Sequence, residues 1–171
     1  MVVYSPDEMA AKAFELFDSN KDGKLDAHEL KKCPSIAEAV ADLDHNNDKS
    51  VSREELSSAL KMFTVSAAAL VEVQVHVSRG GQPMGGVNVE LDPEPFMLGA
   101  IKPAKGLTGS NGIATLRTEE ATPGVQMGFY RVRITSPSEA LPAKYNTETT
   151  LGRLVGSGRR GRWEIKLDPV P

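Results

Sequence analysis

DSNKDGKLDAHE at Asp18–Glu29 and DHNNDKSVSREE at Asp44–Glu55 are two twelve-residue segments that decide the fold of the first half of this chain. Each has an oxygen-bearing side chain at positions 1, 3, 5, 9 and 12, and the carbonyl of position 7 completes the set. A hard cation of the size of calcium takes six to eight oxygen ligands at about 2.3–2.6 Å. The spacing therefore predicts a divalent-cation site in each segment.

The first segment fits the EF-hand loop pattern D-x-[DN]-x-[DN]-G-x5-E at every position. Its Gly23 stands at position 6, where the backbone of such a loop turns sharply. We interpret the segment as a calcium-binding loop in which Glu29, at position 12, is a bidentate clamp. The expected ligands are the side chains of Asp18, Asn20, Asp22, Asp26 and Glu29 and the carbonyl of Lys24.

The second segment departs from the pattern at position 6, where Lys49 replaces glycine. A left-handed backbone at a residue with a Cβ costs about 1–2 kcal/mol. This loop also has three carboxylates against four in the first, so we predict a weaker calcium site. The alternative is a degenerate loop that only supports its partner. The expected ligands are the side chains of Asp44, Asn46, Asp48, Ser52 and Glu55 and the carbonyl of Ser50.

Four short helices are expected around the two loops, over residues 5–63. Ser5–Glu8 (SPDE) is a start signal with a serine cap, a proline at the first helical position and a closing glutamate. The helix that leaves the first loop must be brief because Pro34 interrupts it. The same capping chemistry predicts that the next two helices start at Ser35–Glu38 and Ser52–Glu55.

The close spacing of the loops limits the helices between them to about two turns each, at 1.5 Å per residue. Such helices leave much of their apolar face uncovered, so we expect another part of the chain to cover it. We assign Phe14, Phe17, Leu60 and Phe63 to the core, with a groove for a target peptide as the alternative. Position 8 of each loop, Leu25 or Val51, is expected to pair in a short two-stranded bridge.

After about residue 70 the apolar residues no longer recur at helical spacing but at every second position. Alternating runs lie at residues 71–77, 87–91, 129–135 and 162–167, and Gly- or Pro-rich segments separate them. Ser110–Gly112 is a hairpin signal between Leu107–Thr108 and Ile113–Leu116. Five or six short strands of this kind predict an antiparallel β-sandwich. The predicted fold class is α+β.

Charge supports a boundary near residue 65 of the 171-residue chain. Residues 1–64 carry 13 acidic and 8 basic side chains, whereas residues 65–171 carry 10 and 12. We therefore expect a paired EF-hand module at 1–64, a short connector at 65–69 and a β-sandwich at 70–171. Because the helical module has little core of its own, we expect calcium removal to unfold residues 5–63 before 70–168.

Three motifs of the second half carry a family resemblance. GQPMGGVNVEL, GLTGSNGIATL and GFYRVRI together resemble the carboxypeptidase-regulatory-like, transthyretin-like sandwich. The segment LPAKYNTETTLG (Leu141–Gly152) is similar to a signature of small bacterial proteins of unassigned function that join an EF-hand pair to this sandwich. The matching positions are Gly81, Pro83, Gly86, Val89, Gly106, Thr108, Gly112, Gly128, Tyr130 and Val132.

The resemblance implies a docking or display role rather than catalysis. Hydrolases with the transthyretin fold need a His/Arg set and a C-terminal Tyr-Arg-Gly-Ser, whereas this chain has one sandwich histidine, His76, and ends in Asp-Pro-Val-Pro. We interpret His76 as a surface residue and the single cysteine, Cys33, as a small buried hydrophobe. The GRRGR run at Gly158–Arg162 is interpreted as a solvated loop.

Closely spaced bacterial EF-hands also occur in lanthanide-binding proteins, which this pair resembles in loop separation. Those proteins carry proline at loop position 2, where this chain has Ser19 and His45. We therefore expect calcium at both sites.

Three hypotheses on function follow. The first is a calcium-binding, non-enzymatic protein whose sandwich docks a protein or cell-surface partner. The second is a purely structural role, in which calcium staples the helical pair to the sandwich within a larger surface protein, and the third is a transthyretin-fold enzyme. No nucleic-acid partner is expected, and no apolar run is long enough to span a membrane. The opening nine residues lack a signal peptide, and an extracytoplasmic or cell-surface location is favoured.

Overall fold

Three α-helices and one 3₁₀ turn surround the two loops. The structure, a computed structural model, describes residues 5–64, 70–118, 123–156 and 162–169. The sequence predicts a fourth helix after the first loop, and this is wrong because the chain reaches Pro34 after a single 3₁₀ turn. The elements are α1 (Pro6–Phe17), β1 (Lys24–Leu25), the 3₁₀ turn Glu29–Lys32, α2 (Pro34–Leu43), β2 (Val51–Ser52) and α3 (Arg53–Thr64).

The starts of α1 and α3 follow the predicted capping chemistry. The N–H of Glu8 donates to Ser5 Oγ (3.2 Å), and the N–H of Ser5 donates to Glu8 Oε2 (2.7 Å). Ser52 and Glu55 form the same reciprocal pair at the start of α3, with distances of 2.8 and 3.3 Å. Each of these reciprocal pairs, known as a capping box, satisfies two N–H groups that a helix start leaves unpaired.

The start of α2 differs from the prediction. The helix begins at Pro34, ahead of the expected cap, and the side chain of its N-cap residue Cys33 makes no capping hydrogen bond. The hydroxyl of Ser35 donates to Glu94 of the second half instead, at 2.8 Å. The prediction was wrong because a tertiary partner competes with the helix start for this hydroxyl.

The apolar faces of the helices agree with the predicted period, with one exception. Met9, Ala13 and Phe17 of α1 are buried, but Leu16 is 41% exposed. Ile36, Ala39 and Leu43 of α2 and Leu56, Leu60 and Phe63 of α3 are also buried. In the described part of the chain, no helix combines the length and the hydropathy needed to cross a bilayer.

Within the described residues of the second part, there are ten strands and two further 3₁₀ turns, at Pro95–Met97 and Ala143–Tyr145. The predicted strand over residues 71–77 is divided in two, whereas that at 162–167 is confirmed at both ends. The strands are β3 (Leu70–Val71), β4 (Gln74–Arg79), β5 (Gln82–Pro83), β6 (Asn88–Pro93), β7 (Ala104–Leu107), β8 (Ile113–Thr115), β9 (Val125–Gln126), β10 (Gly128–Thr135), β11 (Gly152–Val155) and β12 (Arg162–Leu167).

Two four-stranded sheets form a mostly antiparallel sandwich, so the predicted α+β class is confirmed. One sheet has the order β11-β10-β6-β7 and is antiparallel throughout. In the other, β12 and β4 are neighbours, and β8 and β5 share the opposite edge of β4. The β12–β4 pair is parallel, which the antiparallel prediction missed. Residues 65–69 and 158–161 lie outside the described residues, so the predicted connector stays a prediction.

The predicted hairpin at Ser110–Gly112 is a turn between sheets. The turn itself forms, since the N–H of Gly112 donates to the carbonyl of Gly109 at 2.8 Å. However, β7 pairs with β6 in one sheet and β8 pairs with β4 in the other. Instead of a ladder, the described parts of the two segments share the isolated Lys105–Arg117 bridge. The local turn signal was correct, but it does not decide which sheet each strand joins.

β10 is an inner strand of its sheet and is buried on both faces at its start. Tyr130, Val132 and Ile134 are fully buried and alternate along the strand, as the period predicts. Phe129 lies on the opposite face and is also fully buried. Something must therefore cover the outer face of this sheet at the Phe129 end.

Candidate metal centre

The two predicted loops have the same backbone. Lys21 and Gly23, at positions 4 and 6 of the first loop, have positive φ angles of 59° and 83°. Asn47 and Lys49, at the same positions of the second loop, have φ angles of 59° and 65°. Lys49 therefore adopts the left-handed conformation that the sequence predicts for it. The left-handed conformation at position 4 of each loop was not predicted from the sequence.

Hydrogen bonds fix the ligand side chains of the first loop. Asp18 accepts the N–H of Asp22 (3.2 Å) through Oδ1 and that of Gly23 (3.1 Å) through Oδ2. Asn20 Oδ1 accepts the same Asp22 N–H at 2.9 Å, and Asp22 Oδ1 accepts the N–H of Lys24 at 2.9 Å. These bonds hold the first three ligand positions on one side of the turn.

Glu29 closes the first loop from the far end. Its Oε1 accepts the N–H groups of Ser19 (2.7 Å) and Asn20 (3.2 Å), and its Oε2 accepts that of Asp26 (3.3 Å). Glu29 is only 3% exposed. The N–H of Glu29 in turn donates to Asp26 Oδ1, and this bond lowers the pKa of Asp26. The predicted clamp thus lies over the loop that it is expected to close.

The second loop repeats these bonds. Asp44 accepts the N–H groups of Asp48 (3.1 Å) and Lys49 (2.8 Å), and Asn46 Oδ1 accepts that of Asp48 (2.9 Å). Glu55 accepts the N–H of His45 at 3.0 Å, as Glu29 accepts that of Ser19. At Glu55, burial raises the pKa, but hydrogen bonds from Ser52 and from the loop backbone outweigh it and lower the pKa overall.

The donor set fits calcium. Every predicted ligand contributes oxygen, which is the atom that calcium prefers. Within residues 5–64, 70–118, 123–156 and 162–169, no three His, Cys, Asp or Glu side chains converge into a closed metal cluster. The carboxylates accept loop N–H groups instead. The ligand assignment therefore stays a prediction, in which calcium would be held by the two loops through the side chains and carbonyls named from the sequence.

The loops contact each other directly. β1 and β2 pair antiparallel with Leu25 opposite Val51, which confirms the predicted bridge. In addition, Lys24 Nζ lies 2.6 Å from Asp48 Oδ2. This hydrogen bond holds the pKa of Asp48 well below its usual range and raises that of Lys24. A predicted ligand of the second loop is thus paired with a cation from the first, a contact that the sequence did not reveal.

Aromatic side chains join the loops' helices to the sandwich. The rings of Phe17 and Phe96 meet edge to face at 6.4 Å, and those of Phe63 and Phe129 at 5.9 Å. Phe96 and Phe129 lie 5.5 Å apart within the sandwich. The helices therefore cover the Phe129 end of the outer sheet face, and one continuous apolar core extends through both parts. This confirms the core interpretation of Phe17 and Phe63.

A buried ion pair lies beside these rings. Glu94, whose side chain is fully buried, accepts Arg131 Nε at 2.9 Å and Ser35 Oγ at 2.8 Å. Arg131 Nη2 also donates to the carbonyl of Lys32 at 3.1 Å. Nearby, Arg153 Nη1 of β11 pairs with Glu38 Oε1 of α2 at 3.2 Å. This group was not predicted from the sequence, although the position of Arg131 two residues after Phe129, on the same face of a strand, was an available signal.

The signature segment Leu141–Gly152 has a packing role. The hydroxyl of buried Tyr145 accepts the N–H of Asp168 at 2.9 Å, which ties the segment to the end of β12. Gly152, its last residue, touches the start of α2 so closely that a Cβ there would lie 2.1 Å from the N of Ser35. The segment therefore anchors both the last strand and the helical pair.

Two other candidate residues are settled by their surroundings. Cys33 is fully buried, and burial raises the pKa of its thiol to about 12. A reactive cysteine needs a lowered pKa, and the burial of Cys33 agrees with the role predicted for it. His76 lies on β4 opposite Ile113 and is partly exposed.

An open groove lies on the outer face of β6 and β7, beyond the helices. Its volume is about 460 Å³, and a second groove of about 310 Å³ adjoins it at Glu90 and Lys105. Leu107, at its edge, is 61% exposed. Arg133 lies at the other end and pairs with Glu90 at 2.9 Å and with Asp92. The groove thus combines both signs of charge with an exposed apolar side chain.

Comparison with known proteins agrees with the loop assignment. Residues 9–34 match the family model described as EF hand. The match contains most of α1 and the complete first loop, and it supports calcium binding by this region. The second loop lies beyond it. The fold and this match define the class: an α+β protein with an N-terminal EF-hand region followed by a β-sandwich.

Comparison with known proteins does not assign the sandwich to a family. A DUF3823 family protein from Parabacteroides merdae is a similar solved structure, with 16% identity and a TM-score of 0.36. The similarity covers 59% of this chain and 46% of that protein's chain. A TM-score this low does not support a shared fold, so the transthyretin-like assignment stays a prediction. No curated protein is significantly similar in sequence.

Proposed function

We propose that both loops bind calcium, the first more tightly, and that the bound ions have a structural role: they hold the helical pair in the shape that packs against the sandwich. The observation that carries this proposal is the burial of the helices' apolar face against the chain's own sandwich. It corresponds to the second of the three hypotheses from the sequence.

The contact leaves little apolar surface for a calcium-dependent partner. A calcium sensor exposes a hydrophobic groove when it binds the ion. Here Met9, Leu60 and Phe63 of the helices meet Met97 and Met127 of the sandwich around a cavity of only about 30 Å³. The surface that a sensor would expose is already covered within the chain.

Binding of a hydrophobic dye with and without calcium tests this proposal. A structural role predicts that calcium lowers dye fluorescence or leaves it unchanged, because the ion favours the packed state. A rise in dye fluorescence with calcium would instead indicate a sensor. The Glu29→Gln, Glu55→Gln double variant is the control, since it should not respond to calcium.

The open groove favours an interaction or display role for the sandwich, with a protein or cell-surface partner. Its mixed charges and exposed Leu107 suit a polar peptide with an apolar anchor. Retention of the labelled protein on intact source cells is the test, with Leu107→Glu as the variant and Leu70→Glu as a control at another exposed leucine. Equal retention of wild type and Leu107→Glu would exclude the groove.

We also propose that the protein is not an enzyme. The buried, protonated Cys33 thiol supports this, as does the placement of His28 and His45 in the loops and of His76 on a strand. Turnover of ester, peptide or phosphate substrates at a rate above buffer, lost on unfolding, would contradict the proposal.

A further inference from the structure

Arg131 of β10 contacts both the sandwich and the segment that leaves the first loop. Its Nε pairs with the buried carboxylate of Glu94 at 2.9 Å. Its Nη2 donates to the carbonyl of Lys32 at 3.1 Å. Lys32 is the last residue of the 3₁₀ turn that begins at Glu29. The guanidinium of Arg131 is thus fixed by Glu94 on one side and holds the end of this turn on the other.

Lys32 continues the connection to the loop itself. Its Nζ donates to Ser19 Oγ at 3.2 Å, at position 2 of the first loop. The N–H of Ser19 is also the closest donor to Glu29, at 2.7 Å. A series of hydrogen bonds therefore leads from Arg131 through Lys32 and Ser19 to the clamp carboxylate.

The turn between Glu29 and Lys32 is too short to absorb a displacement. It has four residues, and Leu30 N–H is bonded back to the carbonyl of Asp26 at 2.9 Å. Next along the chain, Ser35 is held by the same Glu94 that fixes Arg131, and its backbone is packed against Gly152. A shift of the sandwich at Arg131 is thus passed on to the segment that positions Glu29.

We infer that Arg131 is a positioning residue for the first calcium site: its contacts with Glu94 and the Lys32 carbonyl hold Glu29 where it can close on the ion. The inference rests on the proposed calcium binding by the first loop. Glu55 of the second loop differs in its setting, since it lies in the first turn of α3. Coupling between sites is reciprocal, so calcium at the first loop also strengthens the contact between Lys32 and Arg131.

Calorimetric calcium titration of full-length variants tests this inference. Arg131→Met removes both contacts, and its effect is measured with Glu55→Gln present, so that only the first loop binds. The same substitution with Glu29→Gln present reports the second loop. Arg133→Met is the matched control, because Arg133 lies two residues along the same strand and pairs with Glu90 and Asp92 instead.

The expected result is a loss of affinity of about fivefold or more at the first loop, with the second loop and the Arg133→Met protein unchanged. Wild-type affinity at the first loop, or an equal loss at both loops, overturns the inference. If Arg131→Met does not fold, the Glu94→Met, Arg131→Met double variant is judged by the same outcomes, because it leaves no buried charge unpaired.

NMR spectroscopy of the wild-type protein also tests the inference, without any substitution. Calcium should shift the side-chain Nε–Hε resonance of Arg131 and leave that of Arg133 in place. Calcium binding without a shift at Arg131 overturns the inference but not the proposed function. A wild-type chain that binds no calcium overturns the proposed function itself, before any variant is compared.

Discussion

Lys49 has a left-handed backbone, a conformation that a residue with a Cβ rarely adopts. Its φ of 65° matches that of the loop glycine, Gly23, and its side chain is exposed. Lys49→Gly should therefore relieve strain without removing a contact. We expect calcium binding at the second loop to tighten by about 1 kcal/mol, roughly fivefold. Calorimetry on the Glu29→Gln background measures this loop alone.

Lys21→Gly is the comparison for Lys49→Gly, because Lys21 is also left-handed, with φ of 59°, but lies in the first loop. It should tighten the first site and leave the second unchanged. If Lys49→Gly weakens the second loop, its left-handed residue is not a source of strain and the predicted ranking of the sites loses one of its two reasons.

The clamp glutamates should differ in importance. Glu29→Gln should abolish the tighter site, and Glu55→Gln the weaker, because each substitution removes the charge that closes its loop. Calorimetry should then show one ion bound per chain in either variant, with the remaining site weaker in Glu29→Gln. Equal affinities of the two remaining sites would contradict the argument from the number of carboxylates.

The buried thiol of Cys33 should make stability depend on alkaline pH. Burial raises its pKa from 9.0 to about 12 in the folded protein. Between these values the unfolded chain loses the thiol proton and the folded chain keeps it, so rising pH favours unfolding. The free energy of unfolding should fall by up to about 1.4 kcal/mol per pH unit from this group.

Urea unfolding of wild type and Cys33→Ala between pH 8 and 11 isolates this contribution. The pKa of Tyr130 is also raised by burial, but Tyr130 is present in both proteins and cancels in the comparison. Cys33→Ala should be less stable at pH 8 because of the cavity and should lose stability less steeply above pH 9. Parallel curves would show that the thiol is not buried in solution.

At the scale of the elements, the sequence predicted what depends on neighbouring residues. The capping boxes at Ser5 and Ser52, the bridge between Leu25 and Val51, and the strand at Arg162–Leu167 all follow from local chemistry. The start of α2 and the assignment of β7 and β8 to different sheets depend on distant partners, such as Glu94 for Ser35. No local pattern records such partners.

The contact between α2 and β11 depends on the absence of a side chain at Gly152. A Cβ there would lie 2.1 Å from the N and 2.2 Å from the carbonyl carbon of its two neighbours in α2, Ser35 and Pro34. Both are backbone atoms, which cannot rotate away. Gly152→Ala should therefore destabilise the protein by about 2–3 kcal/mol, as overpacking does.

Gly156→Ala is the matched control for that substitution. A Cβ at Gly156 would meet the ring of Phe63 at 3.5 Å, an ordinary contact distance. Thermal unfolding of both variants with saturating calcium should show a clear loss only for Gly152→Ala. Similar midpoints for the two variants would mean that α2 does not pack on β11 as described.

For the whole molecule, the continuous core changes what calcium removal should do. The sequence predicts that the helical half unfolds first. Because Phe17, Phe63, Phe96 and Phe129 form one cluster, we expect a single transition instead. Calcium at about 100 times its Kd stabilises the folded state by about 2.7 kcal/mol for each filled loop. Chelation should lower the midpoint by about 5–10 °C for each loop that it empties.

Two probes distinguish these outcomes. Far-UV circular dichroism follows the helices, and fluorescence of the single tryptophan, Trp163 of β12, follows the sandwich. Coincident midpoints in chelator would support one cooperative unit. Loss of the helical signal at a lower temperature than the fluorescence change would restore the stepwise expectation from the sequence. The Glu29→Gln, Glu55→Gln double variant should not respond to chelator.

The bond between Arg131 and Lys32 joins residues 99 positions apart. A ribosome delivers the helical pair long before it delivers β10, at about 5–20 residues per second. For those several seconds the apolar face that Phe129 and Phe96 later cover is open to water and to other nascent chains. The order of synthesis thus makes the unfinished polypeptide, rather than the folded protein, the species that most needs a chaperone.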